Sequence, residues 1–438
     1  MAFSGKAKGV TLIELLIVMA IFMVVIMISA SVFENVTKIS SSVTKSAQSQ
    51  MEGIVGLEIL RRDLNAAGYG LPWSFQTPPD PAKYLESDLG ADNPVKGVNA
   101  DDFNDAPPNS SAGLPLPAIP RAVVLGTVPL TQDPVYKGTG KNSNPGSDYL
   151  VIKSAVVAFN NSVGKWGYVR YSGNLTANKS YLAKWNSPED LVANEVVVTH
   201  TNTFSGATQT PHVLAMQDPA HFSYKLTTKD ATGHYVPAHA NYMPSGSLVD
   251  RFGTRVNNES MVAYAITSDD TIRMPFNRAD YFVMRPTGTS MPPRCCPGTG
   301  ILYKAVIINT MTSSGGGRTL YPLLDCVGDM QVLFDMRDPV DPNSTMTVDT
   351  LATLTAEDIR TRLKGIRVYL LVQEGGKDKK YTYPYTDTNN VIAVSDDRTP
   401  SLGHTFRVSD MKSFFGSDWV HYRWKVYSVV GQPYNLIY

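Results

Sequence analysis

A lone carboxylate, Glu14, interrupts the front of an otherwise apolar run. No charged residue occurs from Leu15 to Phe33, and Leu15 to Ile28 is unbroken hydrophobe. With Val10, Leu12 and Ile13 the run reaches about 20 residues, enough to span a bilayer as a helix. An acid in such a helix costs on the order of 2–3 kcal/mol at mid-bilayer and less near an end, so one that persists has a role to fill. In the first turn of a helix beginning near Val10, Glu14 is favoured by the macrodipole. Its charge still calls for a cation, and no Lys, Arg or His lies in the turns that follow. A new amino terminus created at Val10, by a cut after Gly9, would supply one.

Other residues with chemical potential are less well organised. Cys295 and Cys296 are adjacent, Cys326 lies farther on, and no CxxC pair exists to hold zinc. Three buried thiols are one reading. If the body lies outside the cytoplasm, a disulfide from Cys295 or Cys296 to Cys326 is favoured. A bridge between the adjacent pair would close a ring far from ordinary disulfide geometry. His200, His212, His221, His234 and His239 cluster in an apparently irregular stretch without interleaved ligands, and read as scattered surface histidines. Asp335, Asp338, Asp341 and Asn343 could gather oxygens for calcium. The glycine and closing glutamate of an EF-hand are missing, so solvated carboxylates on a turn are expected. Ser313 to Arg318, rich in glycine, lacks the lysine of a phosphate-binding loop and reads as a hairpin turn. No GxSxG or HExxH occurs. Neither a catalytic residue nor a cofactor or metal site is expected, and the chain reads as a non-enzyme.

The elements that must position Glu14 follow from periodicity. Lys6 and Lys8 precede the apolar run and no lysine follows until Lys38, which orients the amino terminus towards the cytoplasm. Beyond the run, apolar residues recur every three or four positions: Phe33, Val36, Ile39, Val43, Ala47, Met51, Ile54, Leu57, Leu60 and Leu64. No proline intervenes before Pro72, so one helix continues from membrane anchor to spine. Gly53 and Gly56 within it mark a loose spot or a close approach. Gly68-Tyr69-Gly70-Leu71-Pro72 should end it.

Residues 72–120 then read as a long irregular excursion. Strand signals follow at Ala122–Val128, Tyr149–Phe159, Trp166–Tyr171, Glu195–Thr199, Tyr281–Arg285, Ile301–Asn309, Gln331–Asp335, Gly365–Val372 and His421–Val430. A short helix is expected over Thr355–Leu363. The fold class is α+β: a long amino-terminal helix on a large, mainly antiparallel β body. The chain divides into a leader at 1–9, a transmembrane and spine helix at 10–68, an irregular and β-rich body at 69–300, and a β-rich region at 301–438.

Gly9-Val10-Thr11-Leu12-Ile13-Glu14-Leu15-Leu16 resembles the processing site of type IV pilins and type II secretion pseudopilins. The resemblance implies cleavage after Gly9 by a prepilin peptidase, methylation of the new amino group on Val10, and pairing of Glu14 with a neighbouring subunit's terminal amine. Val10 replaces the usual phenylalanine. Arg61-Arg62-Asp63-Leu64-Asn65-Ala66-Ala67-Gly68-Tyr69-Gly70 is similar to the helix exit of PilW-type minor pilins. The stretches Leu323–Val332, Ile366–Val372 and Tyr422–Ser428 resemble later strands of that family. Together these cover about a third of the chain.

Such subunits prime type IV pilus assembly near the fibre tip. The partners implied are other minor pilins, the major pilin, the inner-membrane assembly platform and often a large tip adhesin. The chain would cross the inner membrane once and then enter a pilus in the periplasm and at the cell surface. A minor pseudopilin of a type II secretion system is the second reading. A third is a surface binding module on a plain anchor, which requires no cut at Gly9. A secretory signal cut after Ala30 competes for the same residues, but an acid inside the apolar region and the length of the run argue against it.

Lys+Arg and Asp+Glu both number 39, so no basic excess draws nucleic acid. The parent chain should begin at Val10, whereas Gly9→Val should remain an uncut, membrane-held precursor. Intact-mass measurement decides, and a parent chain starting at Met1 or Ser31 contradicts the cut.

Overall fold

The computed structural model describes residues 11–86, 103–105, 119–127, 146–174, 177–205, 208–237, 242, 260–268, 271–285, 291–310, 317–341, 343–396, 399 and 401–436. The long helix is one piece, α1, Leu12–Asn65. At 1.5 Å per residue it is about 80 Å long. Thr11 caps its start. At its exit Gly68 and Gly70 have φ of +80° and +67°, a backbone region that a side chain disfavours. Gly68 also donates its N–H to the Lys153 carbonyl, so the turn is fastened to the body as it forms.

The body begins with β1 (Ser74–Phe75), β2 (Val123–Thr127), β3 (Asp148–Ser154), β4 (Trp166–Asn174) and β5 (Ala177–Leu182). Then come β6 (Val196–Ser205), β7 (Thr208–Leu214), β8 (Tyr224–Lys225), β9 (Ser260–Thr267) and β10 (Asn277–Met284). The last third holds β11 (Gly300–Ile307), β12 (Arg318–Arg337), β13 (Thr345–Val348) and α2 (Ala356–Arg362). It closes with β14 (Leu363–Glu374), β15 (Ile392–Val394), β16 (His404–Phe406), α3 (Val408–Phe415) and β17 (Arg423–Gly431).

One sheet runs β17-β14-β12-β11-β10-β3-β2, with β13 added beside β12. It draws strands from both sides of residue 300. A second sheet runs β1-β7-β6-β9-β4-β5, with β8 beside β6. All pairings are antiparallel except β1 with β7.

The largest apolar cluster joins the end of α1 (Leu60, Leu64) to both sheets, through residues such as Val332, Val368 and Val429 in one and Val198 and Leu214 in the other. A smaller cluster on the opposite face of the first sheet is covered by α3. The irregular segment is anchored by charge. Glu86 and Asp105 meet the buried Lys153 at 2.6 and 2.5 Å, and Arg121 reaches Asp105 at 2.7 Å. Arg278 binds Asp280 at 2.8 Å beside them. Three acids face three bases, so little net charge is buried.

Several elements depart from the sequence reading. β12 is a 20-residue strand rather than Gln331–Asp335 alone. Its apolar alternation is broken at a bulge near Cys326, which takes φ +56° and shifts the register on both sides. The Tyr149 strand ends at Ser154, because residues from Ala155 turn away to meet Tyr69. His200 is not a surface histidine. It lies fully buried in β6, since the two-residue period carries it to the same face as Val196 and Val198. The stretch is therefore not irregular; β6 and β7 run through it. Burial holds His200 down to about 3, so it is neutral in the core. His239 lies outside the described residues.

Gly56 and Gly53 mark a close approach. A Cβ on Gly56 would stand 2.2 Å from the Leu323 carbonyl oxygen of β12, and one on Gly53 would stand 3.0 Å from the end of the Leu324 side chain. Gly56→Ala gains about 1 kcal/mol of helix propensity, but the backbone clash should outweigh it by about 2 kcal/mol. Gly53→Ala should be neutral or mildly stabilising, because a leucine tip can move. Thermal unfolding of the two detergent-solubilised variants checks the contrast, and equal midpoints would contradict it.

Candidate functional site

The amino-terminal end of α1 is built by reciprocal hydrogen bonds. The Thr11 N–H and hydroxyl donate to the Glu14 carboxylate at 2.9 and 3.0 Å, and the Glu14 N–H donates to the Thr11 hydroxyl at 3.4 Å. This is a capping box, in which the helix's own free amides are satisfied without water. Gly9 and Val10 lie outside the described residues. Glu14 is exposed at the tip of the helix, so its carboxylate faces whatever lies beyond. Thr11 is the functional residue that the sequence reading missed. Its signal was available, since Thr-x-x-Glu before an apolar run is a capping-box pattern.

Along the next turns none of the described residues covers the helix. Leu12 to Glu34 is long and apolar enough to cross a membrane by length and composition, and none of it is buried. Leaving about 20 large apolar side chains in water forfeits on the order of 30 kcal/mol of burial. The stretch is consistent with membrane anchoring.

The other end of α1 is clamped. Asp63 is buried under the sheet, where its carboxylate takes an ion pair from Lys304 at 2.5 Å and a hydrogen bond from the Tyr281 hydroxyl at 2.6 Å. The Lys304 ammonium also sits 3.9 Å from the Phe159 ring centroid. Burial outweighs their mutual attraction: it pushes the Asp63 carboxyl up and the Lys304 ammonium down. No local pattern pointed to this cluster, because its members come from α1, β10 and β11.

Beside the Gly56 contact, a disulfide joins Cys295 to Cys326. The bond closes a loop of 31 residues and contributes roughly 3–4 kcal/mol by chain entropy. It fastens the turn before β11 to the bulge of β12, next to the residues on which α1 rests. Cys296 is buried and free, its Sγ donating to the Phe415 carbonyl. Burial pushes this thiol up to about 12.

The acidic turn after β12 is internally satisfied. Asp338 accepts from the Val340 and Asp341 N–H groups, Asp341 accepts from Asn343, and Asp335 pairs with Arg367 at 2.7 Å. Among the described residues no group of three or more His, Cys, Asp or Glu could hold a metal ion.

A family model described as the prokaryotic N-terminal methylation motif matches residues 4–30. The match spans the expected cut, the capping box and most of the exposed apolar stretch, and it supports a type IV pilin-like prepilin. No curated protein and no solved structure matches the chain.

Asp63→Ala leaves Lys304 buried without its counter-charge and should cost about 3–5 kcal/mol. Asp63→Leu combined with Lys304→Met should recover most of that loss, because it removes both desolvation penalties. Denaturant unfolding of the single and double variants measures the difference, and a double variant no better than the single would contradict the account.

Proposed function

We propose that this chain is a minor pilin, a structural subunit and not an enzyme, which helps to initiate type IV pilus assembly and sits at or near the fibre tip. The observation that carries this reading is the methylation motif at residues 4–30, set on a helix whose first half is bare and whose second half is clamped to a β body. A bare apolar helix on a rigid mount suits insertion among other such helices, first in lipid and then in a filament core. Glu14 sits where a cut after Gly9 would place an ammonium two residues before the first helical position. The capping box keeps the carboxylate at the helix tip, facing the amine of a neighbouring subunit. Prepilin peptidase, the assembly platform, the major pilin and other minor pilins are the partners this implies. A bulky body is tolerated at an end, where it need not repeat around a shaft.

Two carboxylate variants separate charge from capping. Glu14→Gln retains a side chain able to close the box, whereas Glu14→Ala does not. Both should be cleaved and inserted, and both should be depleted from sheared fibres analysed by mass spectrometry, since both lack the negative charge. Wild-type incorporation of Glu14→Gln would remove the pairing role. Absence of the parent chain from sheared pili would remove the minor pilin reading, and a secretion defect in its place would favour the pseudopilin.

A further inference from the structure

Most large aromatic side chains of the body are turned inward; Trp419 and Trp424, for example, are 0% and 6% exposed. At the start of β4 in the second sheet the pattern reverses. Trp185 is 40% exposed and Tyr168 is 39% exposed, and both lean on Trp166. The ring centroids are 5.3 Å apart for Trp166 and Tyr168, 5.2 Å for Trp166 and Trp185, and 5.8 Å for Tyr168 and Trp185. The interplanar angles are 82°, 51° and 65°.

This outward pose is held in place. The Trp185 indole N–H donates to the Trp166 carbonyl at 3.2 Å. The Asp190 carboxylate accepts from the Trp185 and Asn186 N–H groups at 2.5 and 2.9 Å, and Asn186 takes a left-handed φ of +57°. Hydrogen bonds therefore fix both the backbone and the ring of Trp185. The Trp185 indole donor is thereby satisfied within the chain while the residue stays 40% exposed. Ordering an apolar ring towards water forfeits burial, and a preformed aromatic face is what a ligand site requires.

Polar groups stand at the margin of these rings. The Tyr69 ring packs on Tyr264 at 5.4 Å, and Tyr264 is the cross-strand partner of Trp166, so Tyr69 stands on the same side of the sheet as these rings. Glu189 directly precedes the Asp190 that holds the Trp185 backbone. Among the described residues the Glu189 carboxylate has no hydrogen-bond or ion-pair partner. The combination is an aromatic face with Tyr69, Tyr168 and Glu189 as its nearby polar residues.

We propose that this ledge binds a pyranose ring of a neutral glycan. A pyranose has the matching two-sided chemistry. One face presents C–H groups polarised by the adjoining oxygens, which suit the negative face of an aromatic quadrupole. Its rim presents hydroxyls, which suit Glu189, Tyr69 and Tyr168. The main competitor is a quaternary ammonium held in an aromatic cage. Centroids 5.2–5.8 Å apart are already in contact, so no cation fits between these rings, and only their outer faces are available. Glu189 disfavours acidic sugars through like charge. Tyr69 lies four residues beyond the end of α1, so about 80 Å of helix separates the ledge from Leu12. The site goes beyond the filament reading and does not depend on it.

The test is a titration of the detergent-solubilised full chain with cellohexaose, chitohexaose and maltohexaose, read by tryptophan fluorescence and by saturation-transfer NMR. At least one oligosaccharide should bind at millimolar concentration. W185A should weaken it at least about tenfold, the effect of losing one stacked ring. W185F should retain most of the affinity, and E189A should weaken binding less. Near-UV circular dichroism and an intact Cys295–Cys326 bond identify correctly folded variants, and Y168A provides a second ring deletion should W185A not fold. Failure of all three sugars to bind overturns the proposal. So does binding that survives both W185A and Y168A, or acetylcholine binding in place of sugar. None of these outcomes involves fibre entry, so failure here leaves the filament reading untouched.

Discussion

The clamp at the end of α1 is the constraint on which the rest of the molecule depends. A helix about 80 Å long with a bare apolar half would pull away from its body unless the other half were fixed against rotation and sliding. Apolar contact alone is non-directional and permits both motions. Asp63, reaching between Lys304 and Tyr281, supplies direction, because a displaced helix would leave a buried charge unpaired. Gly56 supplies depth, since only a missing Cβ allows the helix backbone to rest on the Leu323 carbonyl. The two contacts lie two turns apart along one face of the helix, which defines its axis.

The body is organised to present a firm surface to that axis. β12 is the central element: its first part pairs with β11, its later part pairs with β14, and the bulge between them faces the helix. Bulges bend strands and raise twist, which lets one long strand serve both neighbours. The disulfide at Cys326 ties this bend to the turn before β11. The weakest point of the ladder is thus covalently braced beside the helix seat. The buried network of Lys153, Arg278 and their acids fastens Glu86 and Asp105 to β3 and β10.

The two ends of α1 obey opposite rules. At the seat, charged groups are buried and paired with one another. At the free end, apolar groups are exposed and unsatisfied, and only lipid or other helices can cover them. Glu14 is a polar group at the free end that its own helix satisfies only in part, because a carboxylate has more acceptor capacity than two Thr11 donors fill.

The long apolar helix, its exit and the α+β class were legible in the sequence, since each rests on local rules: an uncharged run, a period near 3.6, and glycines where φ turns positive. The short helix after Thr355 was legible for the same reason, through its own capping box. Thr11 could have been read from its spacing to Glu14. What the sequence left open was every contact between distant segments. Whether Gly56 was a weakness or a seat depended on the carbonyl of Leu323. Which cysteine faced Cys326, and that His200 pointed inward, depended on strand register. Asp63 stood in the helix-exit stretch with no partner nearby in sequence, and only the folding of β10 and β11 around it made it a buried clamp. Local patterns are written in near neighbours along the chain, whereas burial and pairing depend on residues hundreds of positions away, and the tertiary structure alone brings those together.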